Sequence, residues 1–397
     1  MWRNRSILLC HADATRDGNV DRIGREILDG FRANGWAAVE VMLPAADPTP
    51  RLVDTVARLE RGEFDLVLSV QDMGMFGGPE IDAILARGGA RRLYWALDHP
   101  YSCWQTVAGL PPNAIVTYPT RGNIDCAERF LRRDRAPIGL AHGAMPRDRK
   151  PWAERTIPAL FVGNAPAVLP ETMRRDWRGR YPAKWAGVLE AMAARFDPIR
   201  SDSLDGLADE ALAARGIDPA QVQRSDFMLV MSVFDAYAWA LTRLAYVGAM
   251  RGAPVTIVGR GWESMAVGDT SALGPLPTDQ ARASMDRAQL VLNILPAWYR
   301  SHERVFEGMA AGCAVATTGH GTIANATGVN GGAADEIAVY HLGPPDGAGE
   351  RLGALLNDHE RLRALAEAGH AEFSARHKWS DRVKSLLDSI VAQDGAV

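Results

Sequence analysis

The sequence predicts an α/β protein of two Rossmann-like domains, each built on a parallel sheet. Three observations carry this. Short apolar runs alternate with helix-period segments in both halves, which implies parallel strands joined by helical crossovers. The chain has 397 residues, 47% hydrophobic and 23% charged, enough for two sizeable cores. Residues 136–151 hold Pro137, Gly139, Gly143, Pro146 and Pro151 among several charges, and this is the best place for a boundary. The expected division is 1–150, 151–375, and a C-terminal helical segment 376–397 that packs back on the first domain.

The elements follow in order. Ser6 to Cys10 reads as a buried strand, and an Asp- and Gly-containing loop runs from His11 to Asp21. Arg22 to Asn34 is helical, because Ile23, Ile27, Leu28 and Phe31 share one face and Gly35 supplies a stop. Strands follow at Ala37–Leu43, Phe64–Val70, Leu93–Leu97 and Ala114–Tyr118, with helices at Leu52–Leu59, Ile81–Arg87 and Asn123–Arg132. The second domain opens with the strand Ile157–Val162. A mostly helical insertion covers about 170–251, with a break near Pro198 to Asp205. The alternation then returns: strands at Pro254–Val258, Leu290–Leu295, Ala314–Thr317 and Ile337–Leu342, helices at Asp279–Arg287 and Glu303–Ala311. His359–Trp379 and Arg382–Val391 are closing helices. In such folds ligands sit beyond the carboxyl ends of the strands, here expected to face a central cleft between the domains.

Composition narrows the function. Lys+Arg is 44 against Asp+Glu 48, a net charge of −4, which disfavours a nucleic-acid binder relying on backbone charge. The four cysteines, Cys10, Cys103, Cys126 and Cys313, are far apart and form no CxxC or Cys/His cluster. Neither a zinc site nor a disulfide scaffold is expected, and reduced thiols fit a cytoplasmic protein. The longest apolar run, Phe227 to Val233, is interrupted by Asp235 and falls short of the ~20 residues that span a bilayer. Arg3 and Arg5 before Ile7–Cys10 imitate a signal peptide, but the run is too short and a buried first strand is expected.

The segment LVLNILPAWYRSHERVFEGMAAGCAVATTG, Leu290 to Gly319, is the most informative. A strand ends near Leu295, a polar loop follows, and a helix opens near His302. Backbone N–H groups at that helix start can receive an anion. Arg304 sits in the first turn, where the helix dipole disfavours a cation and a phosphate would relieve the conflict. Glu307, one turn on, could accept hydrogen bonds from two sugar hydroxyls. Equally, it could belong to a solvated helix with local pairing to Glu303's neighbour Arg304.

SHERVFEGMAAGCAVATTG resembles the donor-site signature of two-domain (GT-B) nucleotide-sugar glycosyltransferases, and more narrowly the spore-maturation-type (CgeB-like) branch. VTIVGRGWE (Val255–Glu263), ALFVGNA (Ala159–Ala165) and RHKWSDRVKSLL near the C-terminus fit the same pattern in the same order. The resemblance covers about Ile157 to Leu387 in pieces. The first half matches in architecture, with YWALDHP (Tyr94–Pro100) as its one counterpart segment. The resemblance implies a nucleoside diphosphate sugar as co-substrate, UDP foremost, and no further cofactor. It implies that Glu307 holds the ribose, and that Arg304, with the backbone after Ser301 and His302, binds the diphosphate. Gly259, Arg260, Gly261 and Trp262 would line the base pocket. Gly163 and Asn164 would face the phosphates from the first turn of the domain, and Asn293 joins the donor-binding set. Many retaining members carry a further Glu eight positions before the ribose-binding one; here that position is Tyr299.

In the first domain, Asp98-His99 follows the fourth strand. His99 is either the general base for an acceptor hydroxyl or a strand cap beside Pro100. His11, Asp13 and Asp17 lie in the loop after strand one, with Asp13 the further catalytic candidate, and Asp72 and Met73 to Gly78 read as an acceptor-side loop. No paired-acid metal motif stands in a convincing strand context, so metal-independent transfer is expected, with cationic groups and helix N-termini stabilising the leaving diphosphate. The expected protein is a cytoplasmic, hexosyltransferase-like enzyme with an acceptor not identified by sequence (surface glycan, lipid, protein or metabolite). Peripheral contact with the inner membrane face is compatible with it. The alternatives are a catalytically degenerate nucleotide-sugar-binding partner, or an epimerase on the same scaffold. A phosphorylase would need a lysine for its pyridoxal cofactor, and no lysine here has a persuasive setting.

Overall fold

The structure is a computed structural model that describes residues 2–12, 19–44, 46–71, 78–131, 133–318 and 339–395. In chain order the elements begin with β1 (Ser6–Ala12), α1 (Asn19–Ala33), β2 (Ala37–Leu43), α2 (Thr49–Glu60), β3 (Leu66–Val70) and α3 (Pro79–Gly88). Next come β4 (Arg91–Trp95), α4 (Trp104–Ala108), β5 (Ile115–Tyr118), α5 (Arg121–Leu131) and β6 (Ile138–Gly139). Then follow β7 (Ile157–Val162), α6 (Pro170–Arg180), α7 (Ala183–Arg195), α8 (Leu204–Ala213), α9 (Arg224–Ala249), β8 (Val255–Val258) and β9 (Ser271–Ala272). The chain closes with α10 (Thr278–Asp286), β10 (Ala288–Asn293), α11 (Glu303–Ala310), β11 (Ala314–Thr317), β12 (Tyr340–His341), α12 (Ala348–Asn357), α13 (His359–Arg376) and α14 (Trp379–Gly395).

Two compact units result. Among the described residues, the first takes the chain up to Met145 and again from Arg376, and the second takes the stretch between, from Pro146 to Ala375. The first unit has one six-stranded sheet, ordered β2-β1-β3-β4-β5-β6, in which neighbouring strands run parallel. Its central strands are buried on both faces, as all five residues of β3 are, and this is why they read as continuous apolar runs. In α1, Ile23, Ile27, Leu28 and Phe31 are each at most 2% exposed, and they form the predicted apolar face. The last helix, α14, packs on α1 through Trp379, Val383, Leu386 and Ile390, all buried. The helices meet closely at Gly30, where an added Cβ would stand 2.9 Å from the Trp379 carbonyl oxygen. The Trp379 indole N–H donates to Glu26 at 2.9 Å.

The second unit carries a six-stranded parallel sheet ordered β12-β11-β10-β7-β8-β9. Numbered within the unit this is 6-5-4-1-2-3, the doubly wound dinucleotide-fold order. Its switch point falls between β7 and β10, which run side by side but are far apart in sequence. Helices α6 to α9 occupy the predicted insertion between β7 and β8. The longest of them, α9, has 26 residues and is long and apolar enough to cross a membrane. It is largely buried inside the unit, and it carries two buried charges, Asp235 and Arg243.

The two-domain α/β prediction holds, while several elements differ in detail. Sequence reasoning missed the two-residue strands β6 and β9 and the five-residue helix α4. Segments this short show no period. The fourth strand ends at Trp95 rather than Leu97, so His99 sits four residues beyond it.

Candidate functional site: the carboxyl edge of the second sheet

The donor-side residues gather at the carboxyl ends of β7, β8 and β10 and at the start of α11. The turns after β7 and β8 are locked together. Gly163 N–H donates to the Val258 carbonyl at 2.8 Å, and Ala165 N–H to the Arg260 carbonyl at 2.8 Å. In return, the Asn164 side-chain oxygen accepts from Arg260 N–H at 3.0 Å. Gly259 is required here. Its φ is +151°, and a Cβ would lie 2.2 Å from the Gly163 carbonyl oxygen, so no other residue permits this approach.

Trp262 corrects the sequence expectation. It is 2% exposed, its indole N–H donates to the Gly163 carbonyl at 2.7 Å, and its ring meets Phe161 edge-on at 6.2 Å. The ring is a core residue that buttresses the two turns; it does not line a base pocket. Arg260 and Gly261 are exposed at the turn surface.

At the end of β10, Asn293 is buried and donates to the Thr317 hydroxyl at 3.2 Å, while its amide oxygen has no hydrogen-bond partner. The loop that follows leads to Ser301, 3% exposed, and to His302, which caps α11 by accepting from Arg304 N–H at 3.3 Å. Glu307 is also buried. It pairs with Arg282 of α10, whose Nε stands 3.3 Å from the carboxylate. If Glu307 also receives ribose hydroxyls, Glu307→Ala weakens UDP binding by about 1–3 kcal/mol, the scale of charge-assisted hydrogen bonds. Calorimetric titration checks this, with Arg282→Gln as the control for loss of the ion pair alone. Unchanged affinity in a folded Glu307→Ala protein removes Glu307 from the nucleotide site.

The strongest feature was not read from sequence. Arg243, on α9, reaches the end of β7, where it donates to the Asn164 carbonyl at 2.8 Å. Its guanidinium carbon lies 3.1 Å from the centre of the Trp239 ring and 5.5 Å from that of Phe161. Gly163 makes room for it, since a Cβ there would stand 3.1 Å from that carbon. Arg304 approaches the same Phe161 ring, 6.0 Å from its centre. Two cations therefore converge on one spot at the switch point. Burial, and then the Arg304 charge, pull Arg243 down to about 8 from the ordinary arginine value. Burial also pulls Arg304 down, against the opposing influence of Glu303 and Glu307. Arg243 Nε and Arg304 Nη1 are buried N–H groups with no hydrogen-bond partner. Paired cations with unmet donors have the charge and the hydrogen-bonding capacity to receive an anion.

On the same stripe of α9, eight residues before Arg243, lies Asp235. Its carboxylate accepts from the Trp298 indole at 2.8 Å and from the Tyr299 hydroxyl at 2.7 Å, and so ties down the loop between β10 and α11. Tyr299, the position at which the resemblance would place a glutamate, here donates to a carboxylate supplied by another helix.

Residues 239–388 match a protein-family profile described as "Glycosyl transferase-like". Among solved structures, Anabaena Alr3699/HepE in complex with UDP-glucose is similar over 98% of this chain and 99% of that one, with 10% identity and a TM-score of 0.50. An α-glucosyltransferase in complex with UDP and a 13-mer DNA containing an HMU base covers the same shares, with 12% identity and a TM-score of 0.52. The fold is that of the GT-B glycosyltransferases. No curated protein matches by sequence. The profile match spans the stretch of the GT-B fold that holds Arg243, Arg304 and Glu307, while Gly163 and Asn164 precede it.

The proposed catalytic residues belong to the first unit. Asp13 lies outside the described residues. Asp98 is exposed, and His99 is 7% exposed and caps the turn Pro100–Ser102. Its Nδ1 accepts from Tyr101 N–H at 3.4 Å, and its ring stacks on Tyr101 at 4.9 Å. While this cap holds in a neutral ring the proton sits on Nε2, so Nε2 can act as a base only if the Tyr101 bond is released. His11, at the carboxyl end of β1, has the reverse arrangement. Its Nε2 lies 2.9 Å from Glu40, and its buried Nδ1 has no hydrogen-bond partner, with Asp21 3.9 Å away.

Proposed function

We propose that this chain is a glycosyltransferase that moves a sugar, a hexose, from a UDP-sugar to an acceptor hydroxyl. The observation that carries the reading is the Arg243–Arg304 pair at the carboxyl end of β7. One buried and one half-buried cation, each with an unmet buried N–H donor, match a diphosphate in charge and in hydrogen-bonding capacity. The α11 N-terminus and the profile match over 239–388 support it. So do the UDP and UDP-glucose bound to proteins of the same fold. On this reading the two guanidiniums take up the charge that develops on the leaving diphosphate, so no divalent ion is needed. The spore-maturation-type branch, a cytoplasmic location and peripheral membrane contact belong to the same proposal; the branch rests on the sequence resemblance and the location on four scattered cysteines that fit reduced thiols.

A thermal-shift series with UDP, GDP, TDP and UDP-hexoses tests the reading, because a donor-site ligand raises the melting temperature by mass action. UDP and its sugars should give a saturable rise. No response to any nucleotide would reject a donor site. In turnover assays EDTA should leave the rate within about twofold; a loss restored specifically by Mg²⁺ or Mn²⁺ refutes the metal-independent part.

A second reading, donor binding without transfer, is favoured by Tyr299 in place of the glutamate. It forecasts the same UDP shift with no release of UDP from UDP-sugars.

A further inference from the structure

The first unit contains a cavity that the donor chemistry does not use. It measures about 280 Å³ and is lined by Val107, Val116, Tyr118, Ala127, Leu131 and Arg133, with Glu128 and Asp134 among its other neighbours. Helix α5 runs back against the direction of β5, so its last turn, with Leu131 and the following Arg133, lies toward the amino edge of the sheet. Tyr118 closes β5 at the other, carboxyl edge, where its hydroxyl lies beside Cys103 and Cys126.

Besides the carboxylates of Glu128 and Asp134, the polar groups of the lining are two donors, Tyr118 and Arg133. Tyr118 is fully buried, and its hydroxyl lies beside the thiols of Cys103 and Cys126, which are weak partners; it has no well-formed hydrogen bond. Burial raises this phenol well above its ordinary value, so it keeps its proton. Arg133 is fixed in place: its Nη atoms donate to the carbonyls of Val107 at 2.8 Å, of Leu110 at 3.4 Å, and of Pro111. Its Nε is buried without a partner. No carboxylate forms an ion pair with it among the described residues. Buried donors are nearly always satisfied in native proteins, so an unmet guanidinium N–H and a phenol with only weak thiol partners, lining one space, imply an acceptor that enters it.

Size and lining limit what that acceptor can be. An apolar cavity of 150 Å³ takes up benzene, so one of this volume suits an apolar body of about ten carbons. The acidic neighbours Glu128 and Asp134 oppose a multiply charged head such as a phosphate. We propose that this cavity binds a small amphiphilic carboxylic acid, with its chain or ring among Val107, Val116, Ala127 and Leu131. Its carboxylate would accept from Tyr118 and Arg133. The site is independent of the nucleotide reading.

Titration of the full chain with decanoate below its aggregation concentration, followed by calorimetry and by melting temperature, tests this. Saturable one-to-one binding is expected, with 1-decanol at least about tenfold weaker. Ala127→Leu fills the space and should abolish binding of both. Tyr118→Phe keeps the ring and removes the hydroxyl; it should weaken decanoate about tenfold and leave decanol unchanged. It also stands as the second variant if Ala127→Leu does not fold. The proposal is overturned if wild type binds no decanoate saturably, or if a folded Ala127→Leu protein binds it as wild type does. Decanol binding as tightly as decanoate, with Tyr118→Phe silent, overturns the carboxylate assignment.

Discussion

Replacing Arg243 or Arg304 by methionine should abolish most of the UDP-induced rise in melting temperature, while the ligand-free protein becomes more stable. The two effects have one cause. In the absence of an anion, two guanidiniums lie beside the Phe161 ring, and the Arg304 charge disfavours that of Arg243. Methionine keeps the apolar stem over the ring and removes one charge. For Arg243 the lost bond frees only the carbonyl of Asn164, an exposed residue that water can satisfy. With UDP present the account reverses, because each guanidinium then meets phosphate oxygens. Losing one should weaken binding by about 1.5–3 kcal/mol, the scale for hydrogen bonds to charged groups, or roughly 10- to 150-fold. A merely structural arginine would behave otherwise: the variant would melt earlier and keep its UDP response.

The same pair predicts a pH dependence. Arg243 is held at about 8 in the folded protein, below its value in the unfolded chain. The unfolded chain therefore keeps this proton to higher pH, and stability of the ligand-free fold gains as pH rises through 8. The wild type's deficit against Arg243→Met should narrow across that window. UDP restores the proton, since a nearby dianion favours the guanidinium. The terminal phosphate has a second pKa of about 6 and is silent above pH 7.5. Calorimetry between pH 7.5 and 9, in buffers of different ionisation enthalpy, should then detect proton uptake on binding. Binding without proton exchange would mean that Arg243 already holds its proton in the ligand-free fold.

Sequence alone carried the strands and turns of this site further than its side chains. Buried parallel strands announce themselves as apolar runs, and the glycines at 163, 259 and 261 mark turns that only small residues allow. Trp262 was misplaced because a tryptophan after a Gly-x-Gly turn gives no sign of which way its ring faces; here it turns inward to the Gly163 carbonyl. Arg243 and Asp235 were hidden differently. Both sit on α9, whose pattern reads as core, and a core helix draws no attention to its few polar positions. The signal was present in their spacing. Asp235, Trp239 and Arg243 fall four residues apart, on one stripe, and charges on the buried stripe of an apolar helix require partners. Their partners, the Trp298–Tyr299 loop and the end of β7, are 63 and 79 residues away in sequence, which no local pattern reveals. Glu307 was legible as a position, but its partner Arg282 was not, since it comes from another helix.

His11→Ala should cut turnover by roughly 10²- to 10⁴-fold, the range for loss of a general base, while His99→Ala should act mainly on stability. The argument rests on which nitrogen holds the proton. A hydroxyl acceptor must give its proton to a ring nitrogen with a free lone pair. His99 accepts the Tyr101 N–H at Nδ1, so in the neutral ring Nε2 is the protonated atom. His11 offers the opposite arrangement: Nε2–H points to Glu40, which fixes the tautomer, and Nδ1 keeps its lone pair with no hydrogen-bond partner. A carboxylate behind the ring also stabilises the imidazolium that forms during transfer. Glu40→Gln should therefore lower turnover and leave the UDP dissociation constant unchanged, because the amide can still hold the ring but not balance its charge. His99→Ala removes a cap and a ring stacked on Tyr101, so an earlier melt is expected with turnover near wild type in the folded fraction. The assignment fails if a folded His11→Ala protein turns over at the wild-type rate. If His99→Ala instead shows the large loss without destabilisation, the base is His99, and its bond to Tyr101 must break on acceptor binding.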